Sequence, residues 1–461
     1  MSELPESLGP LDAPVERASA VRWRIVGLMM AASFLSWFNR VSMSVAGTER
    51  VMEEYHISPT RMGFVYSALL LSYAACMTPG GWLIDRRGAW AALALMGFGS
   101  ALCVALTGSV GLVFAGGTAV WLALLVVRAA TGVCMAPIYP GCGRIIARWL
   151  PPRQRALANG LVNGAAPVGI ACTFVGFGTL IDLFDWPVAF LVTAALTALL
   201  ALVWWGYATE DPARHPNVNN AELQLIRDRL LSAPTAPAAP HSTSWWTWMG
   251  LLRNRSLVLL TISYAALGYF EYLFYFWTEY YFRDVRHLSG ETSRLYAAVL
   301  NLSMGGGMML GGLISDRLLH VWGRRWGRAA VPIAGMLLSA ALLGLGLTLD
   351  DPLALVVCFA VALAAGGACE GPCWATAIEL GGRRAGTSAG IFNTGGNVGG
   401  LLAPVVTPWV SGLFGWQCGL ALGAVACLLG VGLWLGIDPR ERPPGEEDDG
   451  RFKAGDSPVK L

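Results

Sequence analysis

Five charged side chains stand inside long apolar runs of this sequence. Arg40 lies in FLSWFNRVSMSV, Arg128 opens RAATGVCMAP, Glu271 and Glu279 punctuate GYFEYLFYFWTEYYF, and Glu370 heads EGPCWATAIEL. A cation in hydrocarbon costs about 2.5–3.5 kcal/mol on the insertion scale, so it faces a cavity, a ligand or a carboxylate rather than lipid. A guanidinium also matches a carboxylate with two parallel hydrogen bonds. Arg40 is expected to meet a small anion in a central cavity, the alternative being a permanent ion pair between helices. Arg128 is open to two readings, a second cavity residue or a structural, snorkelling charge. A carboxyl in low dielectric holds its proton more tightly, which makes proton exchange feasible near neutral pH. Glu370 sits beside Pro372, where a helix is expected to kink and free a carbonyl. Glu370 and Glu271 are therefore candidate coupling groups, although Glu370 is equally readable as a fixed partner of Arg40 or Arg128. Glu279 is expected at the membrane boundary. Tyr73, Asn163, Trp374 and Asn393 add hydroxyl, amide and indole groups of the kind that hold a polyhydroxylated ligand, and the two asparagines are equally suited to bonding backbone across helices.

The elements that must carry these residues follow from composition. Of 461 residues 55% are hydrophobic and 13% charged, with a mean hydropathy of +0.53. A soluble chain carries roughly 25% charged residues, so lipid is the solvent for much of this one. Apolar stretches of spanning length are read near 23–47, 60–83, 90–108, 118–142, 156–181 and 187–207, and again near 255–282, 292–315, 328–349, 353–378, 386–411 and 416–436. Backbone groups in lipid must be satisfied within each segment, which makes these helices, and 56 glycines suit close helix packing. The expected domains are a cytoplasmic tail (1–21), a first six-helix bundle (22–207), a cytoplasmic linker (208–254) with a surface helix over 220–231, a second bundle (255–436) and a disordered cytoplasmic tail (437–461). The first twenty residues lack the pattern of a signal peptide, so span 1 is expected to stay in the protein. Arginines cluster after spans 2, 4, 8 and 10 (Arg86/Arg87, Arg148/Arg153/Arg155, Arg317/Arg324/Arg325, Arg383/Arg384) and are missing after spans 3, 5, 9 and 11. By the positive-inside rule both termini are cytoplasmic.

Composition also excludes. A net charge of +2 without a basic, aromatic-interleaved patch argues against a nucleic-acid partner. The ten cysteines lie in or beside apolar stretches with no disulfide or zinc spacing, and the five histidines fall in loops or at ends. No nucleophile–base pair or cofactor motif stands out, so no enzyme activity, cofactor or metal is expected.

The halves repeat. GGWLIDRRG (80–88) is echoed by GGLISDR (311–317), and Gly160, Asn163, Gly169 and Trp186 recur 230 residues later as Gly390, Asn393, Gly399 and Trp416. A common offset across several motifs means two matched six-helix repeats, with a solute site at their interface near mid-membrane. The loop Gly81-Trp-Leu-Ile-Asp85-Arg86-Arg87-Gly88 and its echo at Gly312, Asp316 and Arg317 read as a polar clasp. Its glycine lets spans 2 and 11 approach, and its carboxylate accepts from an arginine or a helix N-terminus as the halves rock.

This duplicated loop resembles the signature of the major facilitator superfamily. RAATGVCMAPIYPGCGRIIARWLPPRQRALANGL (128–161), SWFNRVSMSVA (36–46), SYAACMTPGGWLIDRRG (72–88) and NTGGNVGGLLAP (393–404) resemble its anion:cation symporter branch, which includes hexuronate and aldonate transporters. The resemblance spans residues 22–436. It implies an all-α membrane protein of twelve helices in two pseudo-symmetric bundles, and it assigns Arg40, Arg128, Tyr73, Trp374 and Asn393 to the anion site. Two positions depart from that branch: Asn39 and Met135 stand where an aspartate and a glutamate are usual. Neither can hold and release a proton, so the branch's usual coupling route is in question, and protons or sodium both stay open as coupling ions. The function expected is secondary transport of a sugar acid across the inner membrane by a monomer working through alternating access. The alternatives are uniport or exchange of a neutral sugar or other organic anion, and a membrane sensor that binds solute without moving it.

Overall fold

The computed structural model describes residues 17–231 and 251–439, and among them it is helical with no strand. Span 1 is Val21–Ala46, span 2 Pro59–Arg87 and span 3 Ala89–Val113; span 4 is made of Gly117–Met135 and Ile138–Trp149. Spans 5 and 6 form one run, Pro152–Cys172 continuing through Gly178–Tyr207, broken at Asp185. Span 7 is Arg255–Tyr280, and spans 8 and 9 share Gly290–Leu347, broken at Gly323. Span 10 is made of Pro352–Gly367 and Glu370–Gly381, span 11 is Ala385–Phe414 and span 12 Trp416–Trp434. Among the described residues nine helical stretches are long and apolar enough to cross a membrane, and a bent pair in span 2 makes a tenth. The two longest stretches each hold two crossings, because the chain turns at Asp185 (φ +66°) and Gly323 (φ +69°), which brings the number to twelve.

Local chemistry sets the ends. Ser58, Asn254, Ser289 and Asp351 cap spans 2, 7, 8 and 10 by accepting from the backbone N–H three residues on (3.4, 2.9, 3.2 and 2.8 Å). Gly88 (φ +85°) and Gly415 (φ +88°) end spans 2 and 11 in the left-handed region, where a side chain would be strained. At the non-glycine break, the Asp185 carboxylate accepts from Trp186 N–H at 2.8 Å and starts span 6. The surface helix is Asn220–Leu231, as the sequence leads one to expect. Its Glu222 is fully buried and accepts from Arg22 Nη1 (2.8 Å), from the Arg22 amide (3.1 Å) and from the Ser19 hydroxyl. That contact ties the start of span 1 to the connection between the halves. Trp149 Nε1 donates to the Thr209 carbonyl (3.0 Å), and Asp438 N–H donates to Ser256 Oγ (2.9 Å). Both ends of the described bundle and the inter-half connection thus gather at the arginine-rich face. The expected tail at 1–16, the linker run at 232–250 and the tail at 440–461 lie outside the described residues.

The two halves pack alike. In the first, span 1 lies on 5, span 2 on 4 and span 3 on 6; in the second, span 7 lies on 11, span 8 on 10 and span 9 on 12. Two of the repeat-related glycines show why. Gly169 of span 5 rests on the Phe34 carbonyl of span 1, and Gly399 of span 11 rests on the Ala265 carbonyl of span 7; neither leaves room for a Cβ.

Between the halves, contacts run from the arginine-poor end to mid-span. Ser67 Oγ of span 2 donates to the Leu401 carbonyl of span 11 (2.7 Å), and Ser44 Oγ of span 1 donates to the Tyr275 carbonyl of span 7 (3.3 Å). Tyr66 stacks on Phe276 with ring centroids 4.9 Å apart. At the arginine-poor rim Arg294 of span 8 bridges Glu49, just past span 1, and Asp182 of span 5.

Candidate substrate site

Arg40 is 3% exposed and lies on the face of span 1 that meets span 7. Its guanidinium is held between rings, 4.3 Å from the centroid of Trp37 and 4.6 Å from that of Tyr73, and Nη1 donates to Tyr272 Oη at 3.4 Å. Nε has no partner, and among the described residues no carboxylate pairs with Arg40. Aromatic faces attract a cation by their quadrupole, worth about 2 kcal/mol or more when desolvated. They leave Nε, in the plane of the fork, without an acceptor, and a carboxylate binds in that plane. The charge is held in place yet not neutralised.

Arg128 has a different surrounding. It is 1% exposed, and its guanidinium reaches the backbone of span 1, with Nη1 donating to the Asn39 carbonyl (3.1 Å) and Nη2 to the Arg40 carbonyl (2.6 Å). Of the two forks expected at an anion site, only that of Arg40 lies in the seam. Nη1 and Nη2 of Arg128 are taken up by two carbonyls of span 1, so this cation braces the backbone that carries the other, while its Nε, like that of Arg40, is buried without a partner.

On the opposite wall, span 10 breaks at Ala368–Cys369, close to the kink expected beside Pro372, and Glu370 is the first residue beyond the break. Its Oε2 accepts from Tyr264 Oη (3.0 Å) and Trp374 Nε1 (3.1 Å), while Oε1 has no donor. Tyr264, Trp374 and Phe392 form one aromatic group, with Tyr264 and Phe392 stacked at 3.9 Å. Glu271 of span 7 is also buried, its Oε1 without a donor. Glu370 is thus bonded to an indole and a phenol, not to either arginine; the permanent arginine pairing weighed from sequence is not formed.

Of the remaining groups, Tyr73 is in direct contact with Arg40 and Trp374 with Glu370. Asn393 Nδ2 donates across the halves to Met77 Sδ (3.7 Å), as does its neighbour Asn397 (3.8 Å). Asn163 is exposed and donates to the Asn159 carbonyl one turn back (2.9 Å), so it bonds its own helix rather than another. Asn39 and Met135 share a cavity of about 40 Å³ with Ser100 and Thr197. Asn39 Nδ2 donates to Thr197 Oγ1 (2.9 Å), and its Oδ1 is buried without a partner. The two departures from the branch pattern therefore meet in one neutral pocket inside the first bundle.

At the arginine-rich face each clasp aspartate pairs within its own half. Asp85 accepts from Arg144 Nη1 (2.8 Å), and Arg148 pairs with Glu210 (2.7 Å). In the echo, Asp316 accepts from Arg328 Nη1 (3.0 Å), whose Nη2 also reaches Glu379 (2.8 Å). A Cβ at Gly81 would meet nothing within 4 Å, so in this state the expected approach of spans 2 and 11 at that glycine is not made. Arg86 lies over Trp82 (4.1 Å), and Arg317 is exposed.

Sequence reasoning missed two features. Trp37, three residues before Arg40, could have been found from its i,i+3 spacing, which puts both on one helix face. The burial of Glu279 is the second: it lies at the arginine-poor rim, near the expected boundary, but is 1% exposed and beside Glu49. Its burial depends on residues from the other half, and no local pattern announces that.

Twelve crossings in two bundles of equal internal packing, closed over a seam that holds an unneutralised cation, define a carrier. The chain belongs to the Major Facilitator Superfamily, whose profile matches residues 29–404 and 318–460. It is 30% identical over 446 residues to a probable galactarate/D-glucarate transporter, GudP, of Bacillus subtilis, covering 95% of this chain and 96% of that protein. It is 26% identical over 429 residues to a D-galactonate transporter of Escherichia coli, covering 91% and 97%. It is 27% identical over 386 residues to a probable sulfoacetate transporter, SauU, of Cupriavidus necator, covering 84% and 86%. Its fold matches that of a bacterial homolog of the human lysosomal transporter Spinster with a TM-score of 0.74 at 15% identity, covering 91% of this chain and 97% of that one. The protein is a multi-pass membrane transporter and not an enzyme.

Proposed function

We propose that this transporter carries a small organic anion, with a sugar acid (hexuronate or aldonate) as the favoured class, across the bacterial inner membrane by alternating access. The observation that carries this reading is the buried guanidinium of Arg40, held between Trp37 and Tyr73 with Nε unpartnered and, among the described residues, no carboxylate paired with it. An incoming carboxylate supplies the missing acceptor. Relatives named for galactarate, D-glucarate and D-galactonate support the sugar-acid class, and one named for sulfoacetate supports the wider anion class. Tyr73, Trp374, Asn393 and, from the exposed side of span 5, Asn163 offer hydroxyl, indole and amide contacts to the solute's hydroxyls. Arg128 positions Arg40 through its backbone. Glu370 and Glu271 are the coupling candidates, since the family's usual acids are replaced by Asn39 and Met135. The arginine-rich face is cytoplasmic, both termini with it, and the working unit is a monomer. Gly81, Asp85, Arg86 and Gly88, with Asp316 and Arg317, form the clasp that makes and breaks at that face.

A second reading, uncoupled uniport or anion exchange, is favoured by the neutral pocket of Asn39, Met135, Ser100 and Thr197. Uptake of radiolabelled glucuronate, D-galactonate, galactarate and sulfoacetate into proteoliposomes, with and without pH and sodium gradients and with galactose as a neutral control, tests both. Saturable uptake of the acids supports carriage of anions, and accumulation above equilibrium only with a gradient supports coupling. Uptake of galactose that the acids do not compete for would overturn the anion site, and specific binding of the acids with no uptake would overturn their carriage.

A further inference from the structure

The arginine-poor rim holds a charge problem that the transport site does not use. Glu49, Asp182, Glu279 and Arg294 converge there from the end of span 1, span 5, span 7 and span 8. Arg294 spends its fork on two of them. Nη2 donates to Glu49 Oε2 (2.6 Å) and Asp182 Oδ1 (2.9 Å), while Nε and Nη1 donate to the second oxygens of Glu49 and Asp182. One Nη1 hydrogen of Arg294 is left, and it makes no bond to Glu279. Glu279 is 1% exposed, neither carboxyl oxygen has a hydrogen-bond partner, and the Glu49 carboxylate, 2% exposed, lies within hydrogen-bonding reach. The other charged or titratable groups around Glu279 are Arg283 beyond span 7 and Tyr66 of span 2, with Arg50 and Glu291 farther out along the rim cavity of about 460 Å³. A carboxylate buried beside a second one, with no donor on either of its own oxygens, is costly to keep ionised.

We propose that the closed rim is a proton-binding site: Glu279 holds a proton, donated to the Glu49 carboxylate, when the halves meet at this face, and returns it to the same side when they part and water reaches it. The proton is bound and released on one side, so this site carries none across. It instead sets the balance between the two states according to the pH outside. The sign follows from linkage. The closed rim binds more protons than the parted one, so acid favours closure and alkali favours parting, by up to about tenfold in the population ratio per pH unit for a single proton. The inference rests on the alternating-access reading.

Nitroxide-bearing unnatural amino acids at Leu112, at the rim end of span 3, and Leu353, at the rim end of span 10, report the separation of the halves by double electron–electron resonance in liposomes. Both positions are exposed. The wild type is expected to move from a short to a long distance between pH 5 and pH 9. Glu279→Gln, whose amide donates to Glu49 at every pH, is expected to stay short and lose the slope. A Glu279→Met variant answers the same question if the amide variant does not fold. A wild-type distribution independent of pH, although a saturating sugar acid still shifts it, would overturn the proton site and leave alternating access standing. A slope kept unchanged in the Glu279 variants would also overturn it. One fixed distance under every condition would remove both readings.

Discussion

Arg128 donates to the main-chain oxygen of Arg40 at 2.6 Å, so one buried cation holds the backbone of the other. Here one faces helix carbonyls and the other faces the seam between the halves. Breaking the brace is expected to hurt transport without removing a ligand. A hydrogen bond to a charged group contributes about 1.5–3 kcal/mol, so Arg128→Gln should lower uptake by roughly 10- to 100-fold, mainly through maximal rate. Arg128→Lys, which can reach one carbonyl, should recover part of it. An unaltered rate with only a weaker apparent affinity would instead make Arg128 a direct ligand.

Arg40→Ala is expected to abolish uptake while the purified protein remains monodisperse. Arg40→Lys should bind the solute weakly, because an ammonium keeps the charge but loses the two-pronged fit. Binding measured by the thermal shift that a sugar acid produces separates these cases: no shift for alanine, a reduced shift for lysine. Uptake by the alanine variant at the normal rate would take Arg40 out of the site.

Glu370→Gln tests coupling. The amide still accepts from Tyr264 and Trp374 through its oxygen, so the local network is preserved. Accumulation driven by a pH gradient should disappear, while counterflow of labelled against unlabelled solute continues. If accumulation persists unchanged, the proton travels by another group, and Glu271→Gln becomes the next variant.

Asp85→Asn should slow turnover more than it weakens binding, because Asp85 pairs with Arg144 at the arginine-rich end, far from Arg40. Exposed ion pairs contribute only about 0–1 kcal/mol to stability, so the thermal midpoint should barely move. Single-turnover and steady-state uptake, compared at equal solute, would reveal the difference; a pure loss of affinity contradicts a clasp.

Much of the fold was legible because it is periodic. The 230-residue offset that links Gly169 to Gly399 marks two contacts that the structure makes in the same way, each a glycine under the carbonyl of the helix beside it. Caps such as Asn254 and Asp351, and the glycines at 88 and 415, announce where spans begin and end. Side-chain direction was less legible. The sequence places Arg128 in an apolar run but does not say whether its fork points to a chamber or to the carbonyls of Asn39 and Arg40. The burial of Glu279 is legible only once Glu49, 230 residues earlier, is known to lie against it. Such facts live in contacts between distant segments, to which spacing along one helix is blind.

The interruptions of spans 4 and 10, at Ala136–Pro137 and at Ala368–Cys369, occupy matching places in the two halves. Each leaves a twelve-residue stub on the arginine-rich side, joined to the shaft above it by a two-residue turn; at the second joint the Ala368 and Cys369 amides donate to the Ala364 and Gly366 carbonyls. The second stub begins with Glu370 and also carries Trp374 and Glu379, so one small swivel at its joint re-aims two groups in the seam and one ion pair at the mouth together. The bonding of Glu370 in the seam and the Glu379–Arg328 pair at the mouth thus lie on one short helix below one joint, and a crosslink that freezes that joint is expected to affect both.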